Sequence, residues 1–228
     1  MLNKTEFRAL TEYRRALYRL LSGLYLTEVD AEQLAALKGL SFPYVAGNSD
    51  ADEDLRQGYG LLETALAETE EADLDELAAD YAKIFLAAGE ASGSAAFPYA
   101  SVYLDRKHRV GGDMDQKMKA LYLARGREPD PKAYRTMHDH IGLMLEYMAI
   151  LCDEQLAAAD EEQTLNALLR EQRDFLRDDL QSWVYAFTAD VVKYAELKFY
   201  SGVALVTNGF LKKETEFLKE AADEWATA

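Results

Sequence analysis

Apolar residues return at helical spacing along most of the chain. Between residues 5 and 26, Leu10, Leu17, Leu21 and Leu24 form one stripe, and Arg8, Arg14, Arg15 and Arg19 fall largely off it. That pattern predicts an amphipathic first helix with one face toward a core. Asp30 followed by Gln33 has the form of a capping box, opening a short helix that ends near Gly39, and Phe42-Pro43 punctuates the exit. Acid-rich helices are expected at roughly 50–69 and 73–87, the second burying Leu74, Leu77, Tyr81, Ile84 and Phe85. The stretch AAGEASGSAAFPYASVY then loses the stripe, so residues 87–103 read as a loop ending in an aromatic-proline turn.

A helix over about 113–125 carries Met118, Leu121 and Tyr122 and is closed by Gly126. The segment GREPDPKAY is the clearest linker. Beyond it, a helix over 138–158 offers Ile141, Met144 or Leu145, Met148 and Leu151, and a helix over 162–180 offers Leu165, Leu168, Leu169, Phe175 and Leu176. Trp183 and two further helices, about 184–199 and 201–222, complete the chain. The expectation is an all-α fold, a single bundle of about nine or ten helices. A possible hinge divides it into an N-terminal helical part, 1–125, a linker, 126–134, and a C-terminal helical part, 135–228.

Composition sharpens this picture. Apolar residues make up 49% of the 228, proline only four and glycine thirteen, which excludes a disordered chain and disfavours turn-rich β structure. The single Cys152 cannot form an intramolecular disulfide, which suits a reducing compartment, and it reads as a small buried apolar side chain. The first helix is charged throughout and has no signal-peptide core. The uncharged run between Lys198 and Lys212 is thirteen residues long, too short to span a bilayer. A cytoplasmic protein with no integral membrane segment is expected.

Forty-one acids against twenty-five bases give a formal charge of -16, which repels a phosphate backbone and argues against nucleic-acid partners. Twelve acidic residues and only Arg56 lie between Asp50 and Asp80. These form either solvated helix faces or a field that steers a cationic peptide.

The chain has no phosphate-cradling glycine loop, nucleophile elbow or cysteine pair, so no enzyme is expected. His108, His138 and His140 are the entire histidine supply. The His138-Asp139 doublet, with His108 and an acid such as Asp190, could imitate an all-helical metal-dependent phosphohydrolase, which stands as the alternative function. A plainer reading has Asp139 capping the helix that follows and His140 making one buried hydrogen bond. Tyr99 and Tyr103 are either walls of a peptide groove or core aromatics, and Ser101 can serve as a cap or turn residue.

Five stretches taken in order carry a resemblance: YAKIF (81–85), PYASVY (98–103), DHIGLMLEYMAIL (139–151), FLRDDLQSWVYAF (175–187) and FYSGVALVTNGFL (199–211). They resemble the motifs of the TorD/DmsD family of redox-enzyme maturation chaperones. The resemblance implies an all-helical, non-enzymatic cytoplasmic chaperone without cofactor or metal, monomeric or a domain-swapped dimer. Its implied partners are the twin-arginine signal peptide and the apo form of a molybdopterin oxidoreductase catalytic subunit, whose export waits on cofactor insertion. The implied peptide-binding residues are Pro98, Tyr99, Ser101, Tyr103, Asp139, His140, Gly142 and Glu146. The chain departs from the family pattern at Thr136 and Met137, where Glu and Pro are usual, and at Ala100, where Glu is usual.

Overall fold

The computed structural model describes residues 3–88, 95–106, 109–128, 136–158 and 161–225. Among these residues the chain forms ten α-helices: α1 (Lys4–Leu26), α2 (Ala31–Lys38), α3 (Asp50–Glu68), α4 (Leu74–Phe85), α5 (Ala100–Leu104), α6 (Asp113–Ala124), α7 (Ile141–Ala157), α8 (Glu162–Phe175), α9 (Val184–Tyr194) and α10 (Lys198–Trp225). The all-α expectation holds. Among the described residues the one departure from helix and loop is an isolated antiparallel bridge between Tyr99 and His140.

The described chain gathers into two compact units. The first joins 1–26, 99–183 and 214–228; the second joins 27–98 and 184–213. The borders fall near Thr27, Tyr99, Val184 and Glu214; of the expected linker 126–134, residues 129–134 lie outside the described residues. One border falls inside α10, which runs on without a break.

In the first unit α1 packs along α7. Ser22 Oγ donates to the Gly142 carbonyl at 2.7 Å, Arg19 pairs with Asp153 at 2.6 Å and Arg14 reaches Gln155 at 3.3 Å. Positions fall on α1 as they rise on α7, so the two helices are antiparallel. The buried face of α1 is Phe7, Thr11, Arg14, Tyr18, Leu21, Ser22, Leu24 and Tyr25, so Leu21 and Leu24 are buried as expected, whereas Leu10 and Leu17 are only half-buried. The N-terminal half of the expected stripe thus lies rotated by about one residue, onto Thr11, Arg14 and Tyr18.

Arg14 is almost fully buried because Glu214 answers its charge. Its Nε lies 2.7 Å from Glu214 Oε1, and Gln172 Oε1 accepts from the guanidinium at 2.7 Å. Tyr18 donates to Glu214 at 2.8 Å, and the Arg14 guanidinium lies over the Phe217 ring. Such a pair is tolerated in a core only when its hydrogen bonds are complete. Cys152, buried as expected, accepts from Gln172 Nε2 at 3.3 Å, and burial pushes its thiol up to about 11.

The α8 stripe of Leu165, Leu168, Leu169 and Phe175 is buried as expected, but the helix does not continue regularly to 180. Residues Leu176–Leu180 form one π turn, closed by the bond from Gln181 N–H to the Leu176 carbonyl. This extra residue per turn buries Asp179, which pairs with Lys117. Trp183 follows and packs against Tyr103 at a centroid distance of 5.6 Å.

In the second unit the box predicted at Asp30 and Gln33 caps α2, and a second box, Ser49 with Asp52, caps α3. The motif residues Tyr81 and Phe85 meet Tyr200 at 5.8 and 5.5 Å, so YAKIF and FYSG are two sides of one aromatic core. Beside them, buried Asp80 accepts the backbone N–H groups of Glu196 and Leu197 and so holds the turn that leads into α10. Gly58 and Gly202 let α3 and α10 touch: a Cβ at Gly58 would lie 2.8 Å from the Val206 backbone nitrogen.

Candidate functional site

The segment that begins α7 was expected to be helical from 138. Instead residues 136–140 form a turn and the helix starts at Ile141. His140 is its N-cap: the backbone is extended, at φ -65° and ψ 135°, and the ring Nδ1 accepts from Gly142 N–H at 3.1 Å. The cap is the histidine, not Asp139 as the sequence suggested. A cap must sit immediately before the first helical residue, and that position is 140.

Asp139 serves a different segment. Its Oδ2 accepts the Ser101 backbone N–H at 2.8 Å, and its carbonyl accepts from Ala100 N–H at 3.0 Å. One carboxylate oxygen and one carbonyl thus take up two of the first amides of α5, a short helix inside what the sequence suggested was a loop. Asp139 is fully buried, and its Oδ1 has no hydrogen-bond partner.

Tyr99 bridges to His140 through the backbone and sets its ring edge-on against the imidazole, with centroids 5.2 Å apart. Thr136 Oγ1 donates to the Tyr99 hydroxyl at 3.0 Å. Thr136, standing where the family pattern has Glu, thereby holds Tyr99 directly. Burial without an ionic partner lowers the His140 pKa to about 3, so the ring is neutral at physiological pH.

Five of the eight expected site residues thus form one assembly: Tyr99, Ser101, Asp139, His140 and Gly142. Pro98 precedes them and is buried. Tyr103 lies two residues beyond Ser101 on α5, half-buried against Trp183. Glu146 stands apart, farther along α7 and 3.7 Å from Arg19, and burial raises its carboxyl. Gly142 is a packing position: a Cβ there would lie 2.4 Å from Leu26 Cγ and 2.9 Å from the Ser22 carbonyl oxygen.

Asp115 was not singled out in the sequence. From the first turn of α6 it accepts His138 N–H at 2.7 Å and faces His138 Nδ1 at 3.3 Å, which fixes the turn before α7. An acid in the first turn of a helix is too common to have signalled this. Next to the turn, Tyr122 donates to the Leu143 carbonyl at 2.7 Å. A cavity of about 440 Å³ opens beside Ser101, walled by Leu104, Arg106, Arg109 and Met114. Ser101 Oγ accepts Gly111 N–H at 3.0 Å at its edge.

A family model described as nitrate reductase delta subunit matches residues 48–189. The Chaperone protein TorD of Shewanella pealeana is 30% identical, with 94% of this chain and 93% of that protein covered. The Chaperone protein TorD of Vibrio vulnificus strain YJ016 is 26% identical over 93% of this chain and 98% of its own length. That of Vibrio cholerae strain O395 is 28% identical over 96% and 98%. The chain belongs to the TorD family of chaperones.

Membership settles several expectations. The TorD family is non-enzymatic, and the chain is a chaperone of redox-enzyme maturation rather than a catalyst. The phosphohydrolase reading is not supported. Its His138 and Asp139 turn to different partners, Asp115 and Ser101, and its His108 lies outside the described residues. Among the described residues no group of three or more His, Cys, Asp or Glu side chains is arranged to hold a metal. No helix among them is long and apolar enough to cross a membrane.

Proposed function

We propose that this TorD-family chaperone acts in the cytoplasm on one client, a molybdopterin-containing oxidoreductase. It binds the client's twin-arginine signal peptide and holds back export until the cofactor is in place. The supporting observation is the clip at the start of α7, where Asp139 holds Ser101 and His140 holds Tyr99. Residues named for peptide binding from two separate stretches of sequence, 98–103 and 139–151, meet there.

The burial of these groups divides their roles. Asp139, His140, Ser101 and Gly142 are almost closed to solvent and act by position. Tyr99, Tyr103 and Glu146 retain exposed surface and are the groups a leader touches first. A leader's arginines are drawn by the net charge of -16. Its apolar run supplies about 25 cal/mol for each Å² removed from water, and ordering it costs ~1–2 kcal/mol per residue. Useful affinity therefore requires a preformed surface and opposite charge rather than apolar contact alone.

Co-expression tests this reading. The tagged full chain should retain an apo oxidoreductase encoded beside it, and deleting that subunit's leader should abolish most of the recovery. Equal recovery with and without the leader would refute leader recognition.

A further inference from the structure

The second unit carries an apolar groove that the leader site does not use. Its floor is Leu37 and Leu66, both buried, and its walls are Leu40, Phe42 and Ala67, enclosing about 560 Å³. Leu40 is 45% exposed, and Tyr44, four residues on, is 92% exposed. Phe42 is held in place by the Tyr59 ring at 5.2 Å. Leu37 and Lys38 end α2, and Glu63, Leu66 and Ala67 lie on α3, so two helices supply the sides of the groove.

Charge selects the occupant. Glu63 lines the groove and has no ion-pair partner among the described residues, and the one cation on its rim, Lys38, is tied to Glu70. Of the twelve acids from Asp50 to Asp80, Asp52, Asp54 and Glu68 pair with Lys213, Lys212 and Lys198, and Glu53 with Arg56, which leaves Glu63 unanswered at the groove. The same groove on a second copy of the chain would set Glu63 against Glu63 and leave both carboxylates unanswered. A partner segment that places lysine or arginine beside two or three bulky apolar side chains satisfies both the floor and the rim.

We propose that the groove formed by α2, the 39–44 segment and the end of α3 is a second docking surface for a basic-flanked apolar segment of a partner polypeptide. It extends the chaperone reading by giving the second unit its own contact with a client. Two surfaces on one chain raise the effective concentration of each segment at the other.

The test uses the purified full chain and a labelled amphipathic peptide of leucines flanked by lysines, with no arginine pair, followed by fluorescence anisotropy. Saturable binding at micromolar peptide is expected, weakened at least tenfold by Leu40→Asp or Glu63→Lys and by replacing the peptide lysines with glutamates. Both substitutions are at exposed positions, and circular dichroism should be unchanged. Binding of a twin-arginine leader should survive Leu40→Asp, and peptide binding should survive Asp139→Ala.

Wild-type affinity in both groove variants, or no binding by the wild type, would overturn the proposal. So would loss of leader binding in Leu40→Asp, which would merge the two surfaces into one. Failure of the leader to bind wild-type protein that still binds the lysine peptide would count against leader recognition alone.

Discussion

The carboxylate of Asp139 accepts the backbone N–H of Ser101 at 2.8 Å, with both residues buried. Thirty-eight positions apart in sequence, they join the start of α7 to the start of α5. Removing the carboxylate strands that N–H in a closed environment, at about 1–3 kcal/mol. Asp139→Ala should therefore lower the unfolding free energy by that amount and weaken leader binding about tenfold, whereas Asp139→Asn, which keeps an acceptor, should preserve most of both. Urea unfolding and leader titration of the two variants check this. Equal leader affinity in Asp139→Ala and the wild type would remove Asp139 from the site.

His140 makes stability depend on pH. In the folded chain its pKa is pushed down to about 3 by burial, and in the unfolded chain a histidine titrates near 6.5. Below about pH 6.5 the unfolded state takes up a proton that the folded state does not. The contribution is complete above that pH and is lost as pH falls toward 3. The slope approaches about 1.4 kcal/mol per pH unit. Urea unfolding at pH 7.5, 6 and 5 should show wild type losing stability faster than His140→Gln; parallel losses would contradict a buried neutral imidazole.

At Gly142 the space is already taken. A methyl group there meets Leu26 and the Ser22 carbonyl oxygen, and only the leucine can move aside. Gly142→Ala should cost about 1–3 kcal/mol through overpacking, read as a lowered urea midpoint with unchanged m-value.

The Arg14–Glu214 pair ties the first helix to the last in the core of the first unit. Arg14→Met leaves a buried carboxylate without its cation and should cost about 3–5 kcal/mol. Adding Glu214→Leu removes that charge, and the double variant should recover much of the loss in a double-mutant cycle.

Helix periods were legible in the sequence because packing followed them: α3, α4 and α6 lie within two residues of their expected spans, and Asp30 caps α2 as predicted. Arg14 shows where the reading fell short. A buried arginine looks like a surface residue until its partner is known, and Glu214 lies two hundred positions away. The helix α5 was hidden for a related reason, since two of its first amides are taken up by Asp139 from another part of the chain. His140 makes the one buried hydrogen bond expected of it, but because α7 starts at Ile141 that bond is the cap, and Asp139 caps α5 instead. The family motifs marked residues that the fold brings together at the candidate site, and the hydrogen bonds show which group each of them holds.

Leader recognition is tested most directly by isothermal titration of the full chain with a synthetic twin-arginine leader from a neighbouring molybdoenzyme, at 50 and 300 mM salt. Saturable one-to-one binding is expected, weaker at the higher salt as charge attraction is screened, and lost when both arginines are replaced by glutamine. No heat of binding from any such leader, or affinity unchanged by salt and by the arginine replacements, would contradict the account.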